Sequence, residues 1–340
     1  GLLGRGAVGC SFAHSYGMLL VTRLIQGLGS SGMMSINSAL VRFIWPKRIL
    51  GRGVGVNAMI VSTGITMGPT VASIILSFGP WPLLFALNLP FVVLAIIISM
   101  KVLPPTPRAP HTFDFPGALL AAACLGLFVF ALGSAARNQP LAITAAELAI
   151  AVICGVLLIR RQADHPAPMI PIDLFKIPIF ALSVMTAVCS FATQGLAFVS
   201  MPFLLIGTLG RSQVETGFLI TPWPVMVAIM APIAGYLSDH YRVGLLGGIG
   251  LAILSAGMAL LATMPADASV FDIGWRMALC VCGFGFFQSP NMKALLLSAP
   301  PSRSGGASGM VATASLTGQT VGAALAAFCF SIGNGKGPVL

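Results

Sequence analysis

Eleven stretches of this chain are long and apolar enough to cross a bilayer, and that repetition leaves few architectures open. They run at 1–14, 17–40, 53–78, 81–100, 115–134, 141–159, 178–206, 214–237, 243–264, 274–297 and 306–332, ten of them complete. About 20 apolar residues cross the hydrocarbon as a helix. In lipid every backbone N–H and C=O needs a partner within the protein, so spanning segments of this kind fold as helices. No strand pattern runs through them. The sequence therefore predicts an all-α, polytopic transmembrane bundle. Charged residues make up 8% of the 340, far below the roughly 25% of soluble domains.

The net charge of +10 suggests a nucleic-acid surface, but its distribution excludes one. Eleven basic residues fall in loops on one side, including Arg42, Lys47, Arg48, Arg52, Lys101, Arg108, Arg160, Arg161, Lys176, Arg242 and Arg303. Three, Arg137, Arg211 and Lys336, fall on the other, and Arg5, Arg23, Arg276 and Lys293 lie in or at the ends of helices. Positive loops stay cytoplasmic. Loops 42–52, 101–114 and 160–177 are therefore expected inside, and segment 17–40 is expected to run inward. Cysteine labelling tests this in intact cells: an impermeant reagent should reach Arg137→Cys and miss Pro105→Cys. The opposite pattern would invert the topology.

Two proline-rich loops, 101–114 and 160–177, bracket the helix pair 115–134 and 141–159. The expected organisation is an N-terminal bundle over 1–100, an inserted pair with its loops over 101–177, and a C-terminal bundle over 178–340. The chain opens inside an apolar run, Gly1-Leu-Leu-Gly, without an initiator Met. It is expected to be a fragment. The seven cysteines all lie in apolar segments and read as small buried hydrophobes. No metal-ligand spacing appears, and no metal or cofactor is expected.

Arg23 stands inside an apolar segment, where a charge costs roughly 3 kcal/mol or more. At 100° per residue it shares a face with Gln26, Gly27, Ser30, Met34 and Asn37. A polar stripe on a lipid-embedded helix must face protein or a water-filled cavity. Ser190, Gln194, Ala197 and Met201 share a face in the same way. No carboxylate lies deep in the complete spans; Glu147 and Glu215 sit near outer helix ends. Glycines recur four apart at Gly51/Gly55, Gly64/Gly68, Gly305/Gly309 and Gly318/Gly322, a spacing that lets transmembrane helices approach closely. Pro69 removes a backbone donor and is expected to kink its helix.

Several runs resemble one family. Leu20-Val-Thr-Arg23-Leu-Ile-Gln26-Gly27-Leu-Gly29 resembles motif B of the drug–proton antiporters of the major facilitator superfamily, and Gly64-Ile-Thr-Met-Gly68-Pro69 resembles their motif C. Trp81-Pro-Leu-Leu-Phe85-Ala-Leu-Asn88-Leu-Pro90 resembles the start of the sixth helix in the fourteen-span branch. Gly235-Tyr-Leu-Ser-Asp239-His-Tyr-Arg242 resembles a degenerate copy of the cytoplasmic loop motif. Ser289-Pro-Asn291, Arg303-Ser-Gly305 and Gly318-Gln319 resemble that branch's last helices. Two departures stand out: Ala72-Ser73 where motif C usually ends in two glycines, and His240 where the loop motif has an arginine.

The resemblance implies that helices one, two, part of three, and fourteen lie outside the chain. It implies a proton-coupled exporter of hydrophobic or cationic drugs in a bacterial cytoplasmic membrane, working by alternating access and not an enzyme. Its partners would be a small-molecule substrate, protons and the bilayer, with no nucleic acid; a monomer is compatible with the sequence. Arg23, Gln26, Gly64, Gly68 and Pro69 would carry transport and coupling. Ser30, Asn37, Ser190, Gln194, Trp223, Met226, Gln288 and Asn291 would line the cleft. Gly235, Asp239 and Arg242 would form the conformational loop. Three other readings remain: a sugar or metabolite transporter of the same superfamily, a non-transporting sensor or scaffold, and an intramembrane protease built on Gly29-Ser30-Ser31-Gly32. The last lacks a base, since His111, His165 and His240 lie in loops and His14 at an outer helix end.

Overall fold

The computed structural model describes residues 1–103, 114–136, 139–163, 171–265 and 268–332. Among these, helices are the only regular elements beyond short turns. They are α1 (Leu2–Ser11), α2 (Tyr16–Ile44), α3 (Leu50–Phe78), α4 (Leu83–Ala86), α5 (Asn88–Val102), α6 (Phe115–Ala136), α7 (Leu141–Ala163), α8 (Pro178–Phe203), α9 (Gln213–Ile220), α10 (Pro222–Ser238), α11 (Val243–Ala262), α12 (Val270–Ser298) and α13 (Ser304–Ile332).

Nine stretches among the described residues are long and apolar enough to span a membrane, where the sequence suggested eleven. Segment 1–14 forms a ten-residue helix. Helix α2 has the length, at 29 residues, but Arg23, Gln26 and its glycines and serines make it too polar to count. Segment 214–237 divides at Thr221, because Pro222 and Pro224 each remove a backbone donor. Segment 81–100 divides at Leu87, between α4 and α5.

By packing, residues 1–37 with 64–112 make one compact unit, and residues 38–63 with 113–340 make another. In the first, α1 lies against α2 at bare backbone. A Cβ on Gly6 would stand 2.7 Å from Gln26 Cα, and one on Gly29 would stand 2.9 Å from Leu3 Cα.

In the second unit, α11 packs on α12, α8 on α13, α6 on α7 and α10 on α12. Two apolar cores form. One gathers Met201, Leu219, Trp223, Val227, Met277, Val281 and Phe284. The other gathers Val41, Leu50, Val54, Leu174, Phe180, Leu295 and Leu296. Glycines set the α8–α13 contact: a Cβ on Gly318 would meet Val188 O at 2.6 Å, and one on Gly322 would meet Leu196 N at 2.6 Å. Gly305 and Gly309 have open space instead, so equal spacing in sequence marks close packing at one pair and not at the other. Three ion pairs link separate elements: Arg161–Asp114 at 3.0 Å, Arg303–Asp173 at 2.6 Å and Lys293–Asp239 at 2.6 Å.

Candidate functional site

Three groups of candidate residues can be placed. The first is the polar stripe of α2, in the first unit. Arg23 donates from Nη1 to Gln26 Oε1 at 2.8 Å, and its guanidinium lies 5.7 Å from the Phe85 ring centroid of α4. Such a cation–aromatic contact is worth about 0.5–1 kcal/mol when exposed and about 2 when desolvated. Ser30 turns its hydroxyl back to Gly27 O at 3.0 Å. Asn37 is half-buried on the same helix. On α3, a Cβ at Gly64 or Gly68 would meet nothing within 4 Å, so neither glycine supports a close helix approach here. The side chain of Pro69 lies outside the described residues.

The second group lies in the second unit, on α8, α10 and α12. Ser190 is buried and donates to Ala187 O at 3.0 Å. Asn291 donates to Ser183 O at 3.0 Å and accepts from Thr186 Oγ1 at 3.3 Å, joining α12 to α8. Trp223 packs edge-on against Phe198 with centroids 5.1 Å apart, and Phe191 packs on Phe284 at 5.3 Å. Met226 packs against the same core. Three polar atoms of this group, Gln194 Oε1, Gln288 Oε1 and Trp223 Nε1, are buried without a hydrogen-bond partner. An unmade hydrogen bond at a buried polar group costs about 1–3 kcal/mol. A ligand or water that reached these three groups would gain by binding. Ser190, Gln194, Trp223, Met226, Gln288 and Asn291 thus lie on helices of one unit, while Arg23, Gln26, Ser30 and Asn37 belong to the other.

The third group is the best defined. Helix α3 meets the end of α10 where neither has a side chain. A Cβ on Gly55 would stand 2.6 Å from Ala231 O, and one on Gly235 would stand 3.1 Å from Gly55 Cα and overlap Gly51 O. Real Cβ contacts essentially never fall under 3.0 Å. This approach delivers the first turn of α3 to the Asp239 carboxylate, whose side chain is 2% exposed. Gly51 N donates to Oδ1 at 2.9 Å, and Arg52 N donates to Oδ2 at 3.2 Å. The first N–H groups of a helix have no intrahelical partner and carry partial positive charge, so a carboxylate fits there. Arg52 adds its guanidinium, with Nε 3.6 Å from Oδ2 and Cζ 4.6 Å from the Tyr236 ring centroid. Lys293 of α12 completes the shell, donating to Oδ1 at 2.6 Å and to Ser238 O at 2.7 Å.

The sequence reading assigned Gly235, Asp239 and Arg242 to this loop. Arg242 is exposed and leads into α11. The cations at Asp239 are Arg52 and Lys293. Arg52 read as one more loop charge, and Lys293 as one of four cations within helices. The available signal was a lysine within a 29-residue helix, beyond its first turns and far from Asp272 and Arg276, which demands a partner. Glu215 plays a local role: its carboxylate accepts from Ser212 N at 3.1 Å in a capping box at the start of α9. Glu147 on α7 is half-buried rather than solvated, and its Oε2 is buried with no hydrogen-bond partner.

The model describing the Major Facilitator Superfamily matches residues 1–323. The chain belongs to that superfamily. Among its relatives, an uncharacterized transporter of Escherichia coli (strain K12), YebQ, is 48% identical over 320 residues, 94% of this chain and 70% of the relative. The riboflavin transporter RibZ of Clostridioides difficile (strain 630) is 27% identical, over 91% of this chain and 67% of its own length. The multidrug resistance protein Stp of Mycobacterium tuberculosis is 27% identical, over 94% of this chain and 60% of its own length. Among solved structures, the human organic anion transporter MFSD10 shares the fold. Its TM-score is 0.71 at 17% identity, over 98% of this chain and 70% of that one. The all-α polytopic architecture expected from the sequence is that of this superfamily.

Proposed function

We propose that this superfamily member is a secondary transporter of a bacterial cytoplasmic membrane that exports hydrophobic or cationic compounds in exchange for protons. The observation that carries the reading is the seam between α3 and α10. It is held by backbone contact at Gly51, Gly55 and Gly235 and by one buried carboxylate. A seam built from polar groups at a helix terminus can part and close again, because water can replace its hydrogen bonds. Leu50 and Val54, buried in one apolar core with Phe180, Leu295 and Leu296, add apolar area that parting would expose. In this reading 1–100 and 178–340 are the rocking bundles and 101–177 is an inserted pair. Asp239 would latch the cytoplasmic side. Export of drugs is supported by the resemblance of Gly64–Pro69 to motif C and by a relative named for multidrug resistance.

A second reading, transport of a metabolite, is favoured by the relative named a riboflavin transporter. The unpaired Trp223 N–H and the Gln194 and Gln288 oxygens suit a ligand that forms hydrogen bonds.

Moving one positive charge against 100 mV costs about 2.3 kcal/mol, so export of a cation needs a driving ion. Protein reconstituted in vesicles should accumulate substrate when a pH gradient is the only energy source, and a protonophore should stop it. Accumulation indifferent to both would exclude proton exchange. Uptake of riboflavin in place of drug cations would favour the second reading.

A further inference from the structure

Lys293 has no place in the resemblance that located Asp239, yet it makes the shortest contact in the latch. Its Nζ lies 2.6 Å from Asp239 Oδ1, and the two side chains are 8% and 2% exposed. It belongs to a different part of the seam from α3. Helix α12 is fastened to α10 by the buried Ser289 hydroxyl, which donates to Ala231 O at 3.0 Å. It is fastened also by Gly285, where a Cβ would stand 3.1 Å from Met230 Cβ and 3.3 Å from Val227 Cα. Lys293 follows Ser289 by one turn. The Lys293–Asp239 pair therefore lies within the α10–α12 unit, whereas the bonds from Gly51 N and Arg52 N cross to α3. Oδ1 accepts from both sides at once, from Lys293 and from Gly51.

We propose that Lys293 is the positioning residue of this latch: it holds Asp239 Oδ1 aimed at the first turn of α3, so that closure finds a carboxylate already in place. The inference rests on the alternating-access reading given above. With the seam closed, Asp239 is sealed from water and needs all its partners. Loss of one partner of a buried pair is strongly destabilising. With the seam open, water reaches the carboxylate and Lys293 matters less. Removing Lys293 therefore weakens the closed state selectively.

The test reads the seam directly. Val54 on α3 is fully buried beside Leu50. In protein lacking the seven native cysteines of this sequence, Val54→Cys should react slowly with a membrane-permeant maleimide. Lys293→Met and Asp239→Asn should each raise that rate about tenfold or more, as expected for breaking a buried pair. The double variant should exceed neither single variant, because the two residues act as one unit. Lys293→Arg, which keeps a cation, should raise the rate less than Lys293→Met does. The double variant buries no unpaired charge, and Arg52, which also loses its carboxylate, is 41% exposed, so this variant should fold even where a single variant does not; gel filtration of each checks this. An unchanged rate in Lys293→Met, or a double variant whose effect is the product of the two singles, overturns the proposal. Transport is measured in the same vesicles. Labelling that behaves as stated while no substrate moves keeps the latch and rejects the export reading, and transport with unresponsive labelling does the reverse.

Discussion

Replacing Gly235 by leucine should abolish transport while leaving the helices formed. A Cβ there would overlap Gly51 O and stand 3.1 Å from Gly55 Cα. Both are backbone atoms, so no side chain can swing aside. Overpacking of an ordinary core costs about 1–3 kcal/mol, and this site exceeds that range because the contact is rigid. The helices must separate, and separation draws the Asp239 carboxylate away from Gly51 N and Arg52 N. Hydrogen bonds to charged groups contribute about 1.5–3 kcal/mol each. A loss of about 3 kcal/mol at 1.4 kcal/mol per factor of ten reduces the closed population roughly a hundredfold. Gly248→Leu on α11 is the control. A Cβ at Gly248 would meet nothing within 4 Å, so steric clash alone predicts a small effect there. Uptake rates of the two variants at matched expression decide the matter. A Gly235→Leu protein that transports normally would show that the α3–α10 approach is not needed for function.

The helices were legible because lipid leaves a long apolar segment few alternatives to helix. Breaks inside them were not, since the mean hydropathy of 215–238 stays at 1.7 across Pro222 and Pro224 while the backbone loses a donor at each. Glycine spacing was legible as a permission, not as a contact: Gly51/Gly55 and Gly318/Gly322 are used for close approach, and Gly64/Gly68 and Gly305/Gly309 have open space around them. Which pair is used depends on the partner helix, and one helix's sequence does not carry that information. The latch was half legible. Asp239 was found through its loop motif, but its partners come from Gly51 and Arg52, nearly 190 positions earlier, and from Lys293 on another helix. The motif supplied the carboxylate, and tertiary packing supplied the donors.

Arg23→Ala should remove most transport with little change in the amount of protein reaching the membrane. Among the described residues the side chain makes a 2.8 Å hydrogen bond to Gln26 and approaches Phe85. Neither is a core contact, and Arg23 is exposed on the protein's own surface. Its loss leaves no cavity and no buried partner of opposite charge, so stability should fall by about 1 kcal/mol or less. Function is the more sensitive quantity. A guanidinium retained at the cost of roughly 3 kcal/mol of insertion has to be offset by a role in the protein. Lysine at this position keeps the charge but lacks the planar fork that reaches Gln26 and the Phe85 ring together. Arg23→Lys should therefore be restored only partly, and Gln26→Ala should resemble it. Efflux assays at matched surface expression give the answer. Full resistance in cells carrying Arg23→Ala would remove the α2 stripe from the transport path and leave the α8, α10 and α12 group as the candidate binding surface.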